Sequence, residues 1–142
     1  MTIAAILNSK GHEVVSIAAD ARVRDAVALL AGRRIGAVPV IEGDRVAGVF
    51  SERDVIYCLA ADGESALDRT VGEVMTEPAM TVTPKDAALA ALSLMTRRRI
   101  RHLPVIEDGR MVGLVSIGDL VKYRIERIEA DAAAMRDYIQ QA

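Results

Sequence analysis

The sequence is short of several groups that whole classes of function require. There is one cysteine, Cys58, so the chain forms no internal disulfide and holds no paired-cysteine metal site. Cys58 lies in the apolar run Val55-Ile56-Tyr57-Cys58-Leu59-Ala60-Ala61 and reads as a small buried hydrophobe; a lone thiol suits a reducing cytoplasm. Tryptophan is absent, and one Phe and three Tyr are the only aromatics, which argues against base-stacking platforms. Lys and Arg number 18 against 20 Asp and Glu, a net charge of −2, so the basic footprint of a nucleic-acid binder is missing. No apolar stretch approaches the ~20 residues that span a bilayer, and Met1-Thr2-Ile3-Ala4-Ala5 lacks the basic start of a signal peptide. Catalytic signatures are missing too: there is no Gly-x-Ser-x-Gly, no Walker sequence and no HExxH spacing between the two histidines. The expectation is a cytoplasmic, non-catalytic protein with no metal, membrane or nucleic-acid partner.

What the chain has is aliphatic residues, and it has them in a repeat. Of its 142 residues 51% are hydrophobic, enough for one packed domain and too many for disorder. Sliding the sequence by 65 positions sets Arg33-Arg34-Ile35-Gly36-Ala37-Val38-Pro39-Val40-Ile41-Glu42 on Arg98-Arg99-Ile100-Arg101-His102-Leu103-Pro104-Val105-Ile106-Glu107. Residues 16–56 and 81–121 are then identical at thirteen of 41 positions without a gap, where roughly two or three would match by chance. One structural unit is written twice.

Each unit reads as strand, helix, strand, strand, helix. Val14-Val15 and Met80-Thr81-Val82 are the expected leading strands. Val23, Ala26, Val27 and Leu30 recur at helical spacing behind a capping Asp20, and Thr83-Pro84-Lys85-Asp86 opens the equivalent helix. Ala37 to Ile41 and Val46 to Phe50 are strands about a Gly43-Asp44 turn, with Asp108-Gly109 turning the second copy. After each second strand stands Ser-x-x-Asp, Ser51 to Asp54 and Ser116 to Asp119, the pattern of a capped helix start.

The segments VPVIEGDRVAGVFSERDV (Val38–Val55) and LPVIEDGRMVGLVSIGDL (Leu103–Leu120) resemble a tandem pair of CBS domains, the nucleotide-sensing units named after cystathionine β-synthase. The whole chain looks like a stand-alone bacterial two-CBS protein. The resemblance implies an α/β fold of two β-α-β-β-α repeats packed about a pseudo-two-fold axis, with the first repeat at 8–62, a linker at 63–75, the second at 76–128 and a helical extension at 129–142. It implies two clefts, each able to hold an adenine nucleotide such as AMP, ADP, ATP or NAD(H), or S-adenosylmethionine.

By that resemblance Asp54 and Asp119 bind ribose, with Ser51 and Ser116 near the phosphates; a helix N-terminus suits phosphate independently. Both aspartates are expected to be surface-facing caps. The adenine slot is expected along Val14, Val15, Ala37 and Val38 in one copy, and Met80, His102 and Leu103 in the other, with Thr76 against the base. Arg101 and His102 are candidates for phosphate contact; Gly36-Ala37 in their place in the first copy implies unequal clefts. Arg97 to Arg99 read as a solvated helix end, and His12 as exposed without a second ligand.

The expected function is a regulatory module that senses adenine nucleotides and signals occupancy to a partner. The rival is a structural dimerisation module with ligand-free clefts. Val121, Ile125, Ile128, Ala132, Met135 and Ile139, spaced 4-3-4-3-4, form an apolar seam on one long final helix and point to a homodimer.

Overall fold

A computed structural model of the chain describes residues 1–141. Ala142, the last residue of the expected extension, lies outside the described residues. Two antiparallel hairpins dominate: β2 (Ala37–Glu42) with β3 (Arg45–Ser51), and β4 (His102–Glu107) with β5 (Arg110–Ser116). All four bounds obey the 65-residue offset. Each ladder slips at the same place, between Val40 and Ile41 and between Val105 and Ile106. The turns differ as their reversed Gly-Asp and Asp-Gly orders require. Gly43 has φ 66°, whereas Asp108 and Gly109 have φ 52° and 77°, the paired positive values of a type I′ turn.

Helices α2 (Val23–Arg33) and α5 (Ala88–Arg98) precede the hairpins, and α3 (Glu52–Asp62) and α6 (Ile117–Gln141) follow them. The hairpin strands are buried at Val38, Val40 and Phe50 in one copy and at Leu103, Val105 and Val115 in the other. The first core gathers these with Val23, Ala26, Leu30 and Cys58, and the second with Ala88, Ala91, Met95 and Leu120. Both cores, between a sheet and its helices, are aliphatic apart from Phe50 in the first, as a chain this poor in aromatics must build.

Several local expectations need correcting. The first leading strand, β1, is Ile17–Ala18, parallel to β2 through Val40 and Ile41, not Val14-Val15. Its counterpart shrinks to one bridge, Val82 to Val105. Asp20 caps nothing: Arg22 is the N-cap of α2 and makes no side-chain cap. Thr83 to Asp86 is a closed turn, with Asp86 N–H on Thr83 O at 3.1 Å and Thr83 N–H on Asp86 Oδ2 at 2.8 Å. Helix α5 starts only at Ala88, after the extended Ala87, which bridges Thr2, with Ala88 N–H on Met1 O at 2.9 Å.

A further finding had no forecast in the sequence. Residues Ile3–Lys10 form a helix, α1, and its Ile3, Ile6 and Leu7 are buried in the core of the second repeat, not the first. In exchange the short α4 (Val71–Val74), which leads into the second repeat, buries Val71 in the first core. The docking is equivalent. A Cβ on Gly113 would meet Leu7 Cδ2 at 2.6 Å, and one on Gly48 would meet Met75 Sδ at 2.8 Å. Glycine leaves room at both positions, at Gly48 for the Thr76 backbone oxygen, which a Cβ would meet at 2.5 Å, and at Gly113 for the end of the Leu7 side chain. Helix α1 then runs a turn past Leu7, to Lys10, whereas α4 ends before Met75.

Candidate functional site

The end of β3 builds the site. Ser51 has extended backbone angles and is the N-cap of α3, with Asp54 three residues on. Asp54 Oδ2 accepts the Ser51 backbone N–H at 2.9 Å and its hydroxyl at 3.1 Å, and Asp54 N–H reaches Ser51 Oγ at 3.4 Å. This reciprocal cap fixes the carboxylate's direction. Its other oxygen, Oδ1, accepts the Thr76 hydroxyl at 2.9 Å. Thr76 is held there by main-chain bonds, since Val49 N–H donates to Thr76 O and Thr76 N–H to Val49 O, each at 3.0 Å. Asp54 is only 8% exposed, so the expectation of a surface-facing cap is corrected: three donors draw the carboxylate inward.

Above this carboxylate opens a cleft of about 1240 Å³ between the repeats. Ser51, Asp54, Ala37, Thr76, Met80, Arg101 and His102 all line it. The sequence reading had divided these residues between two clefts. The exchange of leading segments is why they meet: Thr76 and Met80 follow α4, which docks on the first sheet, and Arg101-His102 approach from across the pseudo-axis. Basic groups are therefore opposite Asp54, and Gly36-Ala37 does not deprive its cleft of them. Arg34, Arg53, Arg98 and Arg99 line the same space. Arg98 and Arg99 are exposed at the end of α5, as a solvated helix end should be, and that end borders the cleft. Arg99 ends α5 in the left-handed region at φ 54°, as Arg34 ends α2 at φ 53°, which turns the chain into the cleft. Arg53 Nη1 donates to Arg99 O at 3.2 Å across the two repeats. Five arginines and two acidic residues, Glu52 and Asp54, thus line one volume, a cationic cleft on an almost neutral chain.

Other candidates lie elsewhere. Val38 and Leu103 are fully buried in the cores, Val15 packs half-buried on the first core, and none of the three lines the cleft. Ser116 and Asp119 repeat the cap in the second copy, with Ser116 N–H on Asp119 Oδ2 at 2.8 Å and Asp119 N–H on Ser116 Oγ at 3.2 Å. There the carboxylate meets a cation that the sequence reading missed. Lys10 Nζ donates to Asp119 Oδ2 and to Leu114 O, each at 2.6 Å. No local pattern linked positions 10 and 119; only the exchanged helix does. Burial pushes the Asp119 carboxyl up, but hydrogen bonds from Lys10 and Ser116 outweigh it and hold it below the ordinary carboxylate range.

His102 stands on the wall between the two aspartates. Burial lowers its pKa, with Lys10 and Arg101 adding to the effect and Asp119 and Glu52 opposing it. The ring is therefore poised to be neutral near pH 7. His12 is exposed, with Nδ1 3.0 Å from Val112 O. Among the described residues no helix is long and apolar enough to cross a membrane.

The family model for the CBS domain matches this chain twice, at residues 7–61 and 71–126. The chain belongs to the CBS domain family. This CBS pair is 36% identical to the mitochondrial CBS domain-containing protein CBSX3 of Arabidopsis thaliana over 148 residues, covering 98% of the chain and 72% of that protein. A CBS-domain containing protein from Agrobacterium tumefaciens has the same fold in its crystal structure, with a TM-score of 0.82, 35% identity and coverage of 87% of this chain and 92% of that one. The CBS domain pair of protein MJ0100, solved in complex with 5′-methylthioadenosine and S-adenosyl-L-methionine, superposes with a TM-score of 0.78 at 19% identity, over 89% of this chain and 98% of that one.

Proposed function

We propose that this CBS pair is a non-catalytic regulatory module that binds an adenine nucleotide and passes its occupancy to a partner protein, in the cytoplasm. The observation that carries the reading is the Asp54 cleft: a directed buried carboxylate, the N-terminus of the 11-residue helix α3 and five arginines surround one space. A carboxylate of this kind accepts the paired hydroxyls of a ribose. The helix end and the guanidinium groups suit phosphate. Ala37 and Met80 supply apolar wall for a base, as ligand pockets commonly do. In this reading Asp54 takes the ribose, Ser51 and Arg101 the phosphates, and His102 the phosphate edge. The adenosine ligands of MJ0100 support the choice of base. The cationic lining favours AMP, ADP, ATP or NAD(H) over S-adenosylmethionine, whose sulfonium is itself positive.

A thermal-shift panel of AMP, ADP, ATP, NAD, NADH and S-adenosylmethionine tests the reading. Stabilisation by the phosphate-bearing ligands is the expected result, and no shift from any of them overturns it.

The rival reading of a structural dimerisation module draws on a separate observation. Val121, Ile125, Ile128, Met135 and Ile139 along α6 are exposed, and so are Ile56 and Tyr57 on α3, which also border the cleft. We take this apolar surface as a homodimer contact, which is compatible with nucleotide binding in the cleft.

A further inference from the structure

The two aspartates of this CBS pair are not in the same state. We infer that Lys10 closes the second cleft from within, so that each chain holds one nucleotide, at Asp54, and none at Asp119. The inference rests on the nucleotide reading above and adds to it the number of sites and the residue that sets it.

The geometry gives each aspartate one neighbour from an exchanged leading segment. For Asp54 that neighbour is Thr76, a neutral hydroxyl that gives one hydrogen bond to Oδ1. It can rotate, and as an acceptor it can remain beside an incoming ribose hydroxyl. For Asp119 the neighbour is an ammonium. Lys10 Nζ bonds both the carboxylate oxygen Oδ2 and Leu114 O, so a diol that is to engage both oxygens of Asp119 must displace the ammonium from Oδ2, a charge-assisted bond.

The cause is one extra helical turn. Leu7 and Met75 dock equivalently on Gly113 and Gly48, but α1 continues to Lys10 where α4 has already ended. The added turn carries its terminal side chain over Leu114 and onto Asp119. The second cleft is poorer in another respect. At the 65-residue offset Gly36 and Ala37 correspond to Arg101 and His102, so the first repeat has no counterpart of those two basic groups to set opposite Asp119.

Calorimetric titration of the full chain with ATP tests this with four variants, Asp54→Asn, Lys10→Met, Lys10→Arg and the first two combined. The native chain is expected to bind one ATP, and Asp54→Asn to weaken binding by at least tenfold. The double variant is expected to bind at least tenfold more tightly than Asp54→Asn alone, through the freed Asp119. Lys10→Met alone should then titrate to two sites. Lys10→Arg keeps the cation and should behave as the native chain. A native chain with two sites, or a double variant no better than Asp54→Asn, overturns the closure by Lys10 and leaves the nucleotide reading intact. If ATP binds none of the proteins, the nucleotide reading itself falls and this inference with it. A measurement on the native chain guards against a misfolded variant: during ATP titration the NMR amide signals of Ser51 and Asp54 should move and those of Ser116 and Asp119 should not. Equal movement in both caps also overturns the inference.

Discussion

Thr76 and Asp54 meet through a 2.9 Å hydrogen bond, hydroxyl to carboxylate, and that contact joins the segment leading into the second repeat to the helix cap of the first. It makes Asp54 a structural residue as well as a candidate ligand. Asp54→Ala keeps the Ser51 N-cap but leaves the Ser51 N–H and the Thr76 hydroxyl short of an acceptor, at roughly 1 kcal/mol or more each. The expected loss of about 2–3 kcal/mol shows as a lower urea midpoint of the ligand-free protein. An unchanged midpoint would contradict the inward, triply bonded carboxylate.

Ligand discrimination should rest on Arg101. Arg101→Ala is expected to weaken ATP and AMP by ~10-fold or more, the worth of a hydrogen bond to a charged group, while adenosine binding hardly changes. Equal losses for adenosine and AMP in calorimetry would remove Arg101 from the phosphate site.

Affinity should fall as pH rises through the His102 titration. In the ligand-free chain burial holds the His102 pKa below its ordinary 6.5. A bound phosphate favours the imidazolium and raises it. Between the free and bound values binding takes up a proton, so affinity grows as pH falls through that window and levels off below it. His102→Gln should flatten the profile.

Acid should also weaken the ligand-free fold in two stages. A neutral His102 with a depressed folded pKa stabilises fully above the unfolded value of about 6.5, and that contribution shrinks as pH falls through it. The Asp119 carboxyl, also depressed in the fold, contributes above its unfolded value and loses that contribution as pH falls further, from about 4 downward. His102→Gln should abolish the first stage and Lys10→Met reduce the second in denaturant melts across pH.

Assembly is tested by light scattering on the full chain and on a chain ending at Glu129. Met135 and Ile139 are 60% and 64% exposed in one chain. Buried in a dimer, each would lose on the order of 2–4 kcal/mol on truncation to Ala. The full chain is expected to be dimeric and the shortened one monomeric. A dimer that survives truncation moves the contact to Ile56 and Val121 on the module's own helices, and a monomeric full chain refutes the dimer.

The repeat, its hairpins and the Ser-x-x-Asp caps were legible in the sequence because each is local: periodicity, turn chemistry and a three-residue spacing act within one unit. Cys58 as a buried hydrophobe followed for the same reason. Weak local signals were misread, as at Asp20 and at Thr83 to Asp86, where a turn satisfied the groups assigned to a helix. What only the tertiary structure decided is which repeat each segment serves. The exchange of α1 and α4 set Thr76 on Asp54 and Lys10 on Asp119, and the pseudo-axis turned Arg101 and His102 towards the other copy's carboxylate. Each repeat carries its own apolar face, but a leading helix can bury its residues on either sheet, and the sequence pattern of that helix is the same in both cases. The choice belongs to chain connectivity and to the shape of the packed whole, where Gly48 and Gly113 leave room for a neighbour from the other unit.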